Sequence, residues 1–450
     1  MIKPRRESYN QANKPLEEPA EAVEFPILSQ AKPSGPKKCL LALKAAPSHY
    51  AEDGCYFLEF DESDASEKQF LFFAKVLHWI GLRFDPRFSC GVTSLRFLWL
   101  SVIICVGIYS AVFDTLQMIT NFEQKAAPST LTFLVMAVQL VTVMLLMTFW
   151  QRHLSFEKFF HYYRHARDAE ESYLELEKNA SIVRNLRRFW TTQAYVLLTV
   201  ASFSYVLTSS HRYDIIHSQH AKVFYFEKLV YIRPVACFIY CTVLNVALHT
   251  YICLSNAIYW EAKKFNVKLY SLKADSSAEM KFKLEHLIRL SARIHRTVRE
   301  LDSIYKIYAF FTITLIIPSS LFVMLMVFSR KTAVEMAISM PAVLFCVYQY
   351  YGIMYPARLH DELNRSKAAL CMNHHVWVPY EKSVNKLAQT LVMHVEQADL
   401  GISLWGFAIV TKPLILTTVS VLMTCLAFLL ELRPRPGQAI TASENQTISG

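Results

Sequence analysis

Seven long apolar segments alternate with polar segments along this chain. Each is about 20 residues long, the length of helix that crosses a hydrocarbon layer roughly 30 Å thick. Their approximate bounds are 97–119, 128–150, 190–209, 229–254, 307–328, 334–355 and 408–432. The pattern predicts an all-α, polytopic membrane protein whose seven transmembrane helices lie within residues 95–432, followed by a tail over 433–450.

Some of the polar connections have helical patterns of their own. Between 280 and 306, apolar residues recur at three- and four-residue spacing, as on one face of a helix: Leu284, Leu287, Leu290, Ile294, Val298, Leu301, Ile304 and Tyr305. Segment 4 is expected to continue as a helix through Trp260 and Tyr270, and 380–398 forms another helix. Two roles stay open for the apolar stripes, namely packing within one subunit and association between subunits.

The region before the first span divides into two parts. Residues 1–65 are rich in proline and polar side chains, which predicts a disordered N-terminus without a signal peptide. Residues 66–94 form an aromatic and basic amphipathic segment. We expect a helix there that lies in the membrane interface, with Phe70, Phe73, Val76 and Ile80 on its inner face.

Lysine and arginine predict the orientation, because basic loops stay in the cytoplasm. The N-terminal region 1–96 has 13 of them, and the connections 151–189, 255–306 and 356–407 have 8, 11 and 5. The connections of the opposite set have between one and three each. The N-terminus is therefore predicted to be cytoplasmic and the C-terminus extracellular, and the basic loops account for the net charge of +10 without nucleic acid.

Sequons and cysteines add two expectations about the two sides. Of the three Asn-x-Ser/Thr sequons, only Asn445 lies on the predicted external side, so we expect a glycan there and none at Asn179 or Asn364. The predicted external loops contain no cysteine. An extracellular disulfide cannot form there, and the His and Cys spacing matches no metal site.

The last apolar segment has a specific motif. Residues 424–432 read Thr-Cys-Leu-Ala-Phe-Leu-Leu-Glu-Leu. This segment resembles the final helix of the insect and nematode gustatory receptor family, in which Thr-Tyr, five apolar residues and Gln-Phe follow one another. Here Cys425, Glu431 and Leu432 replace the Tyr, Gln and Phe. The seven spans, the predicted orientation and the long helical connection between segments 4 and 5 agree with the resemblance.

The resemblance implies a ligand-gated cation channel of the plasma membrane of sensory neurons, assembled as a homotetramer or heterotetramer. Segment 7 would line the pore from Thr424 onward, Phe428 and Leu432 would form its gate, and Glu431 would stand at the outer mouth. A ring of glutamates would concentrate cations. The alternative is that Glu431 ends the helix and pairs with Arg433 or Arg435. No cofactor or metal is implied.

The resemblance also implies a pocket for a small organic ligand among segments 2–6. Candidate residues in the outer halves of these segments are Gln139, Tyr205, Tyr231, Tyr240, Phe322 and Ser339. They would give an apolar and aromatic cleft with a few polar groups. Helix packing, or a place in the aromatic belt at the membrane surface, is the other role open to each aromatic residue.

Other classes of protein fit the sequence less well. A receptor that signals through G proteins is the main alternative, but His211-Arg212-Tyr213 lacks the acidic partner of that class and falls in a predicted external loop. A light- or peroxide-sensing member of the same family gains no support from the tryptophans, which mostly lie at span ends or in cytoplasmic segments. Motifs typical of enzymes are missing from the sequence.

Overall fold

The computed structural model describes residues 64–84, 90–120, 127–167, 174–210, 232–329, 333–396 and 400–431. These residues form α-helices joined by short connections, and their one β-bridge joins Ser403 to Ile409. In chain order the helices are α1 Ala65–Trp79, α2 Cys90–Thr120, α3 Ala127–Arg152, α4 Ser155–Ala166, α5 Leu174–Ser210, α6 Arg233–Tyr270, α7 Ser277–Ser329, α8 Ala333–Met372, α9 His374–Trp377, α10 Lys382–Glu396 and α11 Lys412–Glu431. The all-α prediction is confirmed.

Each predicted span coincides with a long helix, apart from a few residues at the ends of segments 4 and 7. Three described stretches, Gly91–Phe113, Pro234–Tyr270 and Ser277–Phe328, are long and apolar enough to cross a membrane, and Lys412–Phe428 is a shorter apolar stretch. The helical nature of the segments is therefore confirmed. The count of seven crossings and the orientation stay predictions.

Helix α6 is the centre of the bundle. It packs against α8, α5, α3, α7, α1 and α2, and every side chain from 239 to 258 is buried. Gly352 lets α8 approach closely, because a Cβ atom there would meet the side chain of Leu248 on α6. The buried polar groups of α6 need partners. The side chain of Asn245, for example, accepts a hydrogen bond from Thr192 Oγ1 at 2.7 Å and donates one to Gln193 Oε1 at 3.0 Å.

The apolar stripe of 284–305 is buried within the chain, on the predicted cytoplasmic part of α7. Helix α7 is continuous over 53 residues and packs there against α4 and α10. Trp150 at the end of α3 donates a hydrogen bond to the Ile304 carbonyl at 3.0 Å. Packing within one subunit is therefore the role that the structure supports for this stripe. The predicted helices through Tyr270 and over 380–398 are also present, as parts of α6 and α10.

Helix α1 packs on protein. The ring of Phe70 lies 5.0 Å from Phe156 and 5.1 Å from Phe160 on α4, and Phe73 lies 5.2 Å from Phe189 on α5. The inner face expected for α1 thus contacts α4 and α5, and its placement in a membrane interface stays a prediction. Helix α4 was not predicted, and its Phe156 and Phe160 rings contact Phe70.

A buried ion cluster joins α1, α4, α5 and α6 below the predicted membrane. Its central cation, Lys178, has a fully buried side chain. The Lys178 Nζ atom lies 3.3 Å from Asp64 Oδ1, 3.4 Å from Glu261 Oε1 and 3.1 Å from the Tyr163 hydroxyl. Around this centre, Lys264 contacts Glu175 at 2.6 Å. Four separate helices are held by charges that must remain paired, because unpaired buried charges are costly.

Candidate pore helix and ligand pocket

A tight turn holds the start of α11. Residues 402–410 fold back on themselves, with the Leu404 amide donating to the Ala408 carbonyl at 2.6 Å and the Val410 amide to Ile402 at 2.9 Å. At the tip, Trp405 and Gly406 have φ angles of 52° and 85°. The left-handed region suits glycine and costs energy for tryptophan. The turn occupies the first residues of predicted segment 7, so the helix begins at Lys412 and not at 408.

The same turn fixes α11 to α7 and α8. The Ser403 amide donates to Asp302 Oδ1 at 2.6 Å, and the Trp405 amide donates to the Lys306 carbonyl at 3.2 Å, both on α7. On the α8 side, Lys412 Nζ lies 2.5 Å from Asp361 Oδ2. The base of α11 is therefore bound to both α7 and α8.

Helix α11 is apolar and mostly uncovered in the single chain. Its 20 residues span roughly 30 Å, about the thickness of the hydrocarbon layer. Only Thr418 and Leu426 are buried among its described side chains. Large side chains such as Leu416 and Met423 are 69% and 58% exposed. Lipid or other subunits must cover this surface in a membrane.

The uncovered surface has one polar face, which we call the outward strip: Thr417, Ser420, Thr424, Phe428 and Glu431, all exposed. At about 100° per residue these positions fall within an arc of roughly 80°. The side of α11 that faces α7 and α8, with Ile415, Thr418, Leu422 and Leu426, lies roughly opposite. The outward strip therefore points away from the rest of the subunit.

The hydroxyl groups of the outward strip are arranged as acceptors. Thr417 Oγ1 donates to the Pro413 carbonyl at 3.0 Å, and Thr424 Oγ1 donates to the Ser420 carbonyl at 2.9 Å. With the proton used inside the helix, the oxygen lone pairs remain free to accept hydrogen bonds from water or to contact a cation. Glu431 adds a carboxylate at the end of the strip.

The predicted pore residues lie largely on this strip. Thr424, Phe428 and Glu431 share it, whereas Leu432 lies outside the described residues. Thr417 and Ser420 were missed by the sequence analysis. Their spacing of three and four residues from one another and from Thr424 is the signal that could have found them.

Two of the predicted pocket residues, Gln139 and Tyr240, have described hydrogen bonds to other helices. Gln139 on α3 is buried, and its Nε2 atom donates to Gln349 Oε1 on α8 at 3.3 Å. Gln349 was not predicted. The Tyr240 hydroxyl donates to the Ile103 carbonyl on α2, beside Gly107, which leaves space for the ring. This contact favours the packing role for Tyr240, because α2 lies outside the predicted pocket.

The remaining predicted residues are placed only in part. Phe322 on α7 is half-buried and Ser339 on α8 is buried, and these two helices pack on each other. The Tyr205 side chain, Tyr231, Asn445 and the His211-Arg212-Tyr213 triplet lie outside the described residues. Away from the predicted ligand pocket, the described residues line a pocket between α1, α3, α4 and α6 on the predicted cytoplasmic side.

Long apolar helices around a buried central helix, with one polar-faced helix left uncovered, form an architecture typical of helical membrane proteins. The sequence model of the 7tm chemosensory receptor family matches residues 73–432. The chain belongs to this family. No curated protein sequence matches the chain.

Two solved structures show the same fold. Both are of the insect olfactory receptor OR5 from Machilis hrabei, and one of them is a complex with eugenol. The complex has a TM-score of 0.62 at 13% identity, and the match covers 81% of this chain and 100% of the other. The second has a TM-score of 0.61 at 12% identity with the same coverage. At this identity the similarity establishes the fold.

Proposed function

We propose that this chain is a subunit of a gustatory-type, ligand-gated cation channel of the plasma membrane. Four subunits would surround an axis lined by α11. A small organic molecule would open the channel from a pocket among α3, α5, α6, α7 and α8. Membership of the chemosensory receptor family and the fold of an olfactory receptor support the receptor part of the proposal.

The single observation behind the pore is the outward strip. Three hydroxyl residues and a carboxylate lie on one face of an otherwise apolar helix, opposite the side that the subunit covers. Against lipid tails the hydroxyl oxygens gain nothing, and a carboxylate at the edge of the apolar layer is stable only if it faces water or a partner. Against a water-filled axis the hydroxyl oxygens and the carboxylate can contact hydrated cations.

The order of residues along the strip suggests a mechanism. Phe428, which is 60% exposed in the single subunit, would meet its copies at the axis and exclude water. Glu431 lies three residues, about 4.5 Å, further along the helix and would form an acidic ring at the external mouth. Movement of α7 and α8 on ligand binding would pull α11 through the turn at 402–410 and the Lys412–Asp361 ion pair.

Whole-cell recording tests this proposal. The chain would be expressed in cells that lack G-protein signalling and exposed to a panel of small organic compounds. A current evoked under those conditions supports the channel, whereas a response seen only with G proteins present would contradict it.

Two variants locate the pore. Glu431→Gln is expected to lower the permeability ratio of divalent to monovalent cations, because the ring loses its charge. Phe428→Ala is expected to raise the current without ligand. Met423→Ala is the matched control, since Met423 is similarly exposed on α11 but lies about 100° from Thr424 and off the strip. Equal effects of Phe428→Ala and Met423→Ala would contradict the pore assignment.

A further inference from the structure

Three arginines converge between α5 and α8. Arg188 donates a hydrogen bond to the Tyr355 hydroxyl at 2.8 Å and another to the Tyr351 hydroxyl. The Arg358 guanidinium lies 5.8 Å from the centre of the Tyr355 ring. Arg184 lies four residues before Arg188 on α5, so the two side chains share one face of that helix. We call Arg184, Arg188 and Arg358 the arginine cluster.

The described residues supply no carboxylate to the arginine cluster. Acidic residues on the same helices are engaged elsewhere: Glu175 with Lys264 at 2.6 Å, Glu177 with Lys263 at 2.8 Å, Asp361 with Lys412 at 2.5 Å and Glu362 with Arg365 at 3.1 Å. The described partners of Arg188 and Arg358 are tyrosine rings and hydroxyls, and the described residues form no ion pair with Arg184. Within the described part of the chain, three cations therefore lie together with only neutral contacts, and a bound anion would reduce their mutual repulsion.

The depth of the arginine cluster indicates where that anion comes from. Arg188 and Tyr355 lie at the inner ends of predicted spans 190–209 and 334–355, and Arg184 and Arg358 lie up to one helical turn below. Arg184 and Arg358 are exposed, so they are accessible from outside the bundle. On the predicted orientation, this level is the headgroup region of the cytoplasmic leaflet, where anionic phospholipids are found.

We propose that the arginine cluster binds the phosphate of an anionic phospholipid of the cytoplasmic leaflet. Guanidinium groups bind phosphate oxygens through paired N–H donors, a geometry that lysine lacks. The Tyr351 and Tyr355 hydroxyls fix Arg188, and the Tyr259 and Tyr355 rings position Arg358, whose guanidinium lies 5.0 Å from the Tyr259 centroid. The bound lipid would bridge α5 and α8. The proposal rests on the predicted orientation and is independent of the pore.

The test uses the full-length chain in phosphatidylcholine nanodiscs titrated with phosphatidylinositol bisphosphate, with bound lipid measured by native mass spectrometry. The double variant Arg184→Gln/Arg358→Gln changes exposed side chains and should still fold. It is expected to bind the lipid about 30-fold more weakly, at about a factor of five for each arginine near a membrane surface. Arg188→Lys keeps the charge but removes the paired donors, and is expected to weaken binding about fivefold.

A matched control removes two arginine charges at positions far from the predicted membrane. Arg289 and Arg365 are exposed and pair with Glu285 and Glu362. Arg289 lies roughly 27 Å along α7 from the predicted span, and Arg365 about 15 Å along α8, both further than the Debye length. Arg289→Gln/Arg365→Gln is expected to change binding less than twofold.

Three results would overturn the proposal. The first is unchanged lipid binding in Arg184→Gln/Arg358→Gln, and the second is an equal loss in the control pair, which would indicate only general surface charge. The third is binding of soluble inositol trisphosphate or inorganic phosphate, in pure phosphatidylcholine nanodiscs, as tightly as the lipid. That result would assign the site to a soluble phosphate.

Discussion

Removing the central cation of the buried ion cluster should destabilise the fold far more than removing an ordinary surface lysine. Burial acts to lower the pKa of Lys178, but attraction by Asp64 and Glu261 and the hydrogen bond to the Tyr163 hydroxyl outweigh it, so the pKa is raised and the side chain stays charged. Lys178→Met fills similar space with an apolar side chain. It leaves the Asp64 and Glu261 carboxylates, 1% and 2% exposed, without their common partner.

The magnitude follows from burial. Breaking a buried ion pair by removing one partner typically costs about 3–5 kcal/mol, because the remaining charge stays buried and uncompensated. Lys263→Met is the matched control. Its ammonium pairs with Glu177 at 2.8 Å, but the two side chains are 29% and 53% exposed. A surface pair contributes about 0–1 kcal/mol, so this variant should be nearly neutral.

Thermal unfolding of the detergent-purified protein, followed by size-exclusion fluorescence, compares the two variants with the wild type. Lys178→Met should lower the Tm clearly and Lys263→Met only slightly. The double variant Lys178→Met/Asp64→Asn should recover part of the loss, because it neutralises one of the two buried carboxylates that lost Lys178. Equal Tm values for Lys178→Met and Lys263→Met would refute the reasoning that burial makes the cluster essential.

Three further predictions test orientation, packing and pH dependence. Asn445→Gln should abolish the electrophoretic shift on glycosidase treatment, and a shift that survives would place another part of the chain outside. Gly352→Val should lower the free energy of unfolding by about 1–3 kcal/mol, because the new side chain overpacks against Leu248. The Leu248 Cγ atom would lie 3.1 Å from the new Cβ, and an unchanged Tm would contradict the close contact of α6 and α8. Burial, with His394 and Arg299 nearby, lowers the pKa of His295 from 6.5 to about 4. Between pH 4 and 6.5 the unfolded chain therefore binds more protons than the folded chain, so stability falls as the pH drops from 6.5 toward 4. The Tm of His295→Gln should fall less over this window than the Tm of the wild type.

The helices and their buried faces were open to prediction because both are local properties. All eight apolar residues of the 284–305 stripe are buried, as the three- and four-residue spacing predicts. A helix repeats every 3.6 residues whatever it packs against, so the period alone identifies the covered face. The motif at 424–432 likewise placed three candidate pore residues on one face of α11.

The ion cluster and the arginine cluster could not be predicted in this way. Lys178 is separated from Asp64 by 114 residues, and Arg188 from Tyr355 by 167. The sequence predicts that charged residues in polar connections are solvated. Only the fold shows which of them are buried. Helix α4 did carry a signal, because Phe156, Phe159, Phe160 and Tyr163 recur at helical spacing, and the prediction overlooked it. The turn at 402–410 has no such period and is stabilised by its contacts with α7.

The sequence by itself determined the position of the long apolar helices, the stripe of α7 that is buried and the family resemblance, since these depend on composition and period. Only the tertiary structure decided which side of α11 is covered and which arginines come together. Those properties depend on contacts between distant segments, and the sequence does not show distance.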